Sequence, residues 1–459
     1  MKTLATIAVT LGLAMTATAV QPPNVVLMVA DDLGYGDLGC YGNPAVKTPN
    51  LDRMAAEGLR FTDFYANGPM CSPTRAALLT GRYQQRVGVT RVGDVLNPGE
   101  IVIAQRLREQ AGYATGYFGK WHVSGHYHDE SMRRERMPID HGFDQFRGLM
   151  GGFIDFQNYL HDRGELDWWH NRELVPDDKG YATHILTDHA VDFIQSHSGQ
   201  RPFFVVLAMP DIHFPWMTPD DPPYYQPGRR MVNFDSEHNR LGPHAGSDRL
   251  QAAVHRMIEE TDLATGRILD TLRHLNVAEN TLVFFVSDNG GIVSYQGRYE
   301  GQISNNGPLR GEKATLYEGG IRVPAIAWRP GTVPAGAVTH ERGMTFDLFP
   351  TLLELAGLQI PAPDSPHALD GISLVSLLHQ GIPLLDRPLF WGFGNQSAMR
   401  QGSWKFLQRG SAPPALFNLE TDPGESRNLA EKYPERTTNM NAAWEHWKRD
   451  VSSARSDNR

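Results

Sequence analysis

Cysteine is nearly absent from this chain and positive charge is in deficit. Among 459 residues there are two cysteines, Cys40 and Cys71, too few for a disulfide-stapled scaffold and enough for at most one bridge, which spacing alone leaves open. Lysine and arginine number 43 against 52 acidic residues, a formal net charge of −9. With no broad basic surface, nucleic acid is not an expected partner, and an anionic ligand has to be met by a local cationic pocket. Long apolar runs are also missing, so no transmembrane segment is expected. No internal repeat or low-complexity segment is visible.

The first residues combine a basic start at Lys2, an apolar stretch from Leu4 to Met15 and a small-x-small site at Ala17-Thr18-Ala19. That pattern predicts a secretory leader over 1–19. The apolar stretch is too short for a membrane anchor, and no cysteine follows the cut before Val20 to take a lipid. The expectation is an exported protein, periplasmic or secreted, of bacterial type.

What is present is an ordinary globular composition, 41% hydrophobic and 21% charged, in a chain long enough for one large domain and a smaller appendage. Continuous apolar runs read as strands buried on both faces: Asn24 to Ala30, Ala114 to Phe118, Phe203 to Ala208 and Thr281 to Ser287. Helical patterns run from Ile101 to Ala111, Ala182 to Gln195 and Ser247 to Leu275. The alternation predicts an α/β fold with a large, mostly parallel central sheet flanked by helices over 20–385. From 386 to 459 the pattern changes to four short strands between Leu389 and Asn418 and a helix from Tyr433 to Val451, a small antiparallel sheet plus helix. The Pro-rich stretch from Pro210 to Pro243 reads as an irregular surface loop.

Polar clusters follow the apolar strands, where a parallel sheet gathers its ligands. Asp31-Asp32 and Asp288-Asn289-Gly290 each leave a strand end. Adjacent carboxylates there repel unless a cation lies between them, and oxygen donors without Cys or His suit a hard divalent ion rather than zinc. Taken singly, either pair also fits a turn or a helix cap. Gly119-Lys120-Trp121-His122, Asp211-Ile212-His213-Phe214-Pro215-Trp216 and Gly311-Glu312-Lys313 add basic groups. In Cys71-Ser72-Pro73-Thr74-Arg75, Ser72 suits an N-cap and Pro73 the first helical position, which sets Cys71 at a helix mouth favouring negative charge. Taken alone, Cys71 reads first as a buried packing residue.

The whole string, C-x-P-x-R continued by Thr80-Gly81-Arg82, resembles the signature of the type I sulfatases of the alkaline phosphatase superfamily. The resemblance runs from Asn24 to about Leu429 and includes Glu318-Gly319-Gly320-Ile321-Arg322-Val323-Pro324 and Leu416 to Pro423. It implies an alkaline-phosphatase-like fold with 20–385 as the catalytic domain. It implies oxidation of Cys71 to formylglycine by a formylglycine-generating or sulfatase-maturing enzyme, the aldehyde hydrate then supplying one hydroxyl to attack sulfur and a second to release sulfate. By the same resemblance Asp31, Asp32, Asp288 and Asn289 hold one calcium ion together with the modified Cys71. Lys120 and Lys313 bind sulfate oxygens, and Arg75 steadies the formylglycine. His122 accepts a proton, and His213 with Lys313 protonates the leaving alcohol. The implied activity is sulfuric ester hydrolysis on a sulfated carbohydrate or an aryl sulfate.

For substrate contacts His126, Trp168 and Trp216 are the candidates, aromatic or basic groups in loops suited to a sugar. One departure stands out: some family members have a polar residue near the sulfate after the Gly142-Phe143-Asp144 string, where this chain has Gly148-Leu149-Met150-Gly151-Gly152. Two other readings share parts of the pattern, a formylglycine-dependent phosphonate or phosphate ester hydrolase and a catalytically silent sulfated-glycan binder.

Overall fold

A computed structural model of the chain describes residues 22–125, 136–176, 178–232, 239–295, 297–299, 301 and 303–453. The leader expected over 1–19 and the substrate candidate His126 lie outside the described residues.

Eleven strands form the main sheet: β1 (Asn24–Ala30), β2 (Leu59–Tyr65), β3 (Ala114–Lys120), β4 (Gln145–Leu149), β5 (Trp169–His170), β6 (Glu173–Leu174), β7 (Phe203–Ala208), β8 (Thr281–Ser287), β9 (Arg322–Trp328), β10 (Ala337–Thr339) and β11 (Gly343–Met344). Their order is β10-β2-β9-β8-β1-β7-β3-β4-β5-β6, with β11 also on β2. The centre, β8-β1-β7-β3-β4, is parallel. β9 runs antiparallel between β8 and β2.

The apolar runs follow from cover on both faces. In β1, Val26, Met28 and Ala30 point into one core with side chains of helices Ala182–His197 and Leu250–His274. Val25, Leu27 and Val29 point into the other, with helices Cys71–Thr80, Ile103–Ala111 and Leu348–Leu355. Period-two alternation with both faces apolar yields an unbroken hydrophobic string.

The four later strands, β12 (Leu389–Phe393), β13 (Gln396–Gln401), β14 (Trp404–Arg409) and β15 (Ala415–Asn418), form the antiparallel sheet expected at the C-terminal end. Trp444 and Trp447 of helix Pro434–Ser453 pack with it, in a core shared with Tyr65, Met344 and Phe346 of the main body. The Trp391 indole donates to the Ala66 carbonyl at 2.9 Å. Beneath lies a buried charge cluster: Lys405 Nζ is 2.9 Å from both Glu318 Oε1 and Glu425 Oε1. The Tyr65 hydroxyl donates to Glu318 at 2.6 Å. Among the described residues no helix is long and apolar enough to cross a membrane.

One local expectation needs correction. The helix begins at Cys71, not at Pro73, and its N-cap is Met70. Ser72 caps nothing; its buried hydroxyl has no hydrogen-bond partner. The entry turn is closed by Thr74, whose hydroxyl accepts from Gly68 N at 3.1 Å and donates to Gly68 O at 3.0 Å. The helix ends at Gly81, φ 69°, where a left-handed cap favours glycine.

Candidate active site

The carboxyl ends of adjacent parallel strands deliver the polar clusters to one place. β1 ends at Asp31-Asp32, β8 at Asp288-Asn289, β3 at Lys120 and β7 just before Asp211–His213. Backbone bonds knit these turns together. Asp31 N donates to Asp211 O at 2.9 Å, Ile212 N to Asp31 O at 2.6 Å and Asp288 N to Ala30 O at 3.1 Å. The helix carrying Cys71 and Arg75 enters from the face beside them.

The expected deep residues are buried, Lys313 only partly, and their charges interlock. Lys120 Nζ is 2.5 Å from Asp31 Oδ2, and Lys313 Nζ is 2.6 Å from Asp32 Oδ1. Arg75 meets Asp288 Oδ2 through Nε at 3.0 Å and Nη2 at 2.8 Å. Its Nη1 donates to the Lys120 carbonyl at 2.7 Å, which also accepts the Tyr117 hydroxyl at 2.6 Å. Three carboxylates thus face three fixed cations.

Three acceptor oxygens are left over from these pairings. Asp31 Oδ1, Asp32 Oδ2 and Asn289 Oδ1 are buried and accept no hydrogen bond. Asp31, Cys71 and Asp288 each offer a ligand atom within 4.8 Å of the others. Orphaned buried acceptors cost about 1–3 kcal/mol each unless a cation or donor meets them. The orphaned carboxylate and amide oxygens of Asp31, Asp32 and Asn289 are hard donors and fit a hard divalent ion. Burial, with Asp288 and Asp32 nearby, pushes Asp31 up to about 8 despite Lys120, whereas Arg75 and the two lysines outweigh burial at Asp288 and hold it below the usual carboxylate range.

Cys71, 1% exposed, sits in the floor of a cavity of about 490 Å³ with His122, His213 and Lys313. Burial raises its thiol above the ordinary value, against the opposing pull of Lys120 and Lys313. It is not bonded to Cys40; both are free thiols. Burial and the neighbouring lysines hold His122 and His213 well below the usual imidazole range, so both are neutral near pH 7. In that form His213 Nδ1–H donates to the Phe214 carbonyl at 2.8 Å, leaving Nε2 as its lone-pair nitrogen, 3.7 Å from Asp32 Oδ2.

Two substrate candidates go elsewhere. Trp168 is fully buried, stacked on Tyr159 at 4.3 Å, its indole donating to Asp178 at 2.8 Å. Trp216, 1% exposed, packs edge-on against Tyr295 and Tyr299. Both fill the core because their loops fold back onto the sheet, so neither lines the cavity. The aromatic wall is instead Phe153, Phe214 and Tyr295, with His161 beside them. No local pattern marks these residues except adjacency, Phe153 to Gly151-Gly152 and Phe214 to His213. The glycine pair answers the departure noted in the sequence: a Cβ on Gly152 would meet the His122 ring at 2.9 Å, so this edge admits no side chain. Asp167 holds the turn, accepting from Met150 N at 3.1 Å and Gly151 N at 2.7 Å.

Comparison with known proteins gives a consistent answer. The profile of the family described as Sulfatase matches residues 23–358. The chain is 38% identical over 463 residues to N-acetylgalactosamine-6-sulfatase of Homo sapiens, covering 89% of this chain and 81% of that protein. It is 34% identical over 482 residues to Arylsulfatase A of Homo sapiens, covering 91% and 85%. Among solved structures, Ps i-CgsB in complex with k-i-k-neocarrahexaose superposes with a TM-score of 0.78 at 29% identity, covering 93% of each chain.

Proposed function

The chain belongs to the sulfatase family and is a sulfate ester hydrolase, and from that premise we propose that it is an exported, calcium-dependent enzyme acting on a sulfated saccharide through a formylglycine made from Cys71. The observation that carries this reading is that Cys71, on the cavity lined also by His122, His213 and Lys313, offers its ligand atom within 4.8 Å of those of Asp31 and Asp288, in a buried cluster where Asp31, Asp32 and Asn289 each keep an orphaned acceptor oxygen.

Asp31, Asp32, Asp288 and Asn289 would hold the ion, whose fixed charge would polarise the sulfate ester and favour an ionised nucleophile. Formylglycine at position 71, once hydrated, would supply one hydroxyl to attack sulfur and a second through which sulfate departs. A thiol raised by burial is a poor substitute at neutral pH. Every residue of helix Cys71–Thr80 is buried, so a maturing enzyme that reads Cys71, Pro73 and Arg75 has to act before this helix packs.

The remaining roles belong to the chain's own side chains. Lys120 and Lys313 take sulfate oxygens, while Arg75 fixes Asp288 and the Lys120 backbone. His122, neutral and with a buried Nδ1 that has no partner, accepts a proton. His213 offers Nε2 to the departing oxygen; a bound anionic ester raises its affinity for the proton it passes on, with Lys313 beside it. The aromatic wall of Phe153, Phe214 and Tyr295 suits a sugar ring, and the relative named N-acetylgalactosamine-6-sulfatase and the neighbour solved in complex with k-i-k-neocarrahexaose support a carbohydrate substrate. Export rests on the leader-like residues 1–19.

Two measurements test this. The matured enzyme is expected to turn over a chromogenic aryl sulfate faster than the matching phosphonate and phosphodiester; a preference for phosphorus overturns the assignment. Calcium at a hundredfold excess over its Kd is expected to stabilise the metal-free protein by about 2.7 kcal/mol, read as a rise in unfolding temperature, and chelation to lower activity. Unfolding and turnover both indifferent to calcium, in a verified metal-free sample, rule the ion out.

A further inference from the structure

The deep end of the cavity is accounted for by the cleavage chemistry; its outer wall carries a charge that this chemistry does not use. Arg240 lines the same cavity. Its guanidinium carbon is 5.4 Å from the Phe153 ring centroid and 5.1 Å from that of Phe214. Those two rings also pack on His213, at 5.5 Å and 4.2 Å. Arg240 and His213 therefore share both aromatic neighbours, and one saccharide can reach from one to the other.

Donor accounting leaves this guanidinium underused. Nη1 reaches Asp162 Oδ2 only at 3.5 Å, while Asp162 has a nearer partner in His161 Nδ1 at 2.5 Å. Nε is buried and has no hydrogen-bond partner. The side chain is 31% exposed, so it is neither sealed in the core nor free in solvent. Its backbone is anchored: Arg240 N donates to Val232 O at 2.9 Å, and the Arg240 carbonyl accepts the Tyr225 hydroxyl. Glu312, the acidic group on this lining, is held on its own loop, its carboxylate accepting from Val293 N at 2.7 Å, Ser294 N at 2.7 Å and Ser294 Oγ at 2.6 Å.

A guanidinium held over aromatic rings with donors to spare is the group that pairs with a carboxylate or sulfate. We propose that Arg240 binds a second anionic group, a carboxylate or another sulfate, on the saccharide whose first sulfate lies over Cys71, so that the enzyme selects doubly anionic saccharides. This specificity rests on the sulfatase reading of the deep site.

Binding measured on the full chain with Cys71→Ala separates the two, because it needs no turnover. By titration calorimetry that protein is expected to bind a disulfated saccharide, or a sulfated one bearing a uronate, about tenfold to a hundredfold more tightly than the monosulfated neutral analogue. Preference for the disulfated ligand alone identifies sulfate, and preference for the uronate alone identifies carboxylate. Adding Arg240→Ala is expected to collapse the ratio to near one; Arg240→Lys, which keeps charge but loses the fork, should leave an intermediate ratio. A ratio near one before Arg240 is changed, or an equal loss on all three ligands after it, overturns the proposal. Failure of the matured wild-type enzyme on aryl sulfates counts against the deep site instead, and leaves the binding ratio to be read separately.

Discussion

Cys71→Ala is expected to cut turnover of any sulfate ester by at least about a thousandfold, with the unfolding transition shifted by no more than about 1 kcal/mol. The two halves of this expectation have separate causes. Cys71 is 1% exposed and makes no disulfide, so alanine removes one sulfur atom from a packed helix start and strands no buried polar partner. Chemically the substitution removes the side chain proposed to become formylglycine, and alanine cannot supply the two hydroxyls on one carbon that the proposed route needs. Mass analysis of the tryptic peptide spanning position 71 in active wild-type protein completes the test. Wild-type rates in the alanine variant, or an untouched thiol in fully active enzyme, would falsify the assigned nucleophile.

The second large effect is on stability, at a distance from the cavity. Lys405→Met is expected to cost about 3–5 kcal/mol, because it leaves Glu318 and Glu425 buried against each other without their shared cation. In the parent, Lys405, Arg400 and Arg322 overcome burial to hold Glu318 down at about 2, while burial outweighs Lys405 and pushes Glu425 up to about 7. The signs are opposite. Glu318 contributes stability above its unfolded value near 4.5, lost as pH falls toward 2. Glu425, raised above the same unfolded value, subtracts stability as pH climbs from 4.5 through 7. Without the lysine Glu425 loses its opposing cation and is raised further beside Glu318, so the deficit of the methionine variant should widen between about pH 5 and pH 8. Denaturant titrations of parent and variant at both values check this; a deficit that shrinks with rising pH would show the lysine is not the group balancing them.

How far the sequence could be read depended on which physical constraint wrote each segment. β1, β7 and β8 are covered on both faces and are visible as apolar strings with the expected bounds. β2 and β9 escaped notice because charge or proline interrupts their apolar pattern: Arg60 and Asp63 lie in β2, Arg322 and Pro324 in β9. Arg322 is tolerated there because Asp63 meets it at 2.9 Å, a partner 259 positions away. The deep residues Asp31, Asp288, Lys120 and Arg75 were legible because each sits at a strand end or inside the Cys71 string. Phe153, Tyr295 and Arg240 were not, since only the folding-back of three separate loops brings them to one wall. Trp168 and Trp216 misled for the converse reason: a tryptophan in an irregular segment resembles a sugar platform until the segment is seen to pack inward.

The joint between the two sheets limits how this protein can be taken apart. Tyr65 and Phe346 of the larger body lie in one apolar cluster with Trp391, Phe406 and Trp444, and the turn at Glu318, tied to Lys405, runs on into Gly320, whose carbonyl accepts Gly290 N at 3.0 Å, two residues past Asp288. A chain stopped before Leu389 would therefore bare an aromatic surface and loosen the back of the loop that carries Asp288 and Asn289 in the same stroke. The last seventy or so positions behave as a keystone rather than an exchangeable module, and gene fusions or domain swaps across that joint should yield insoluble product.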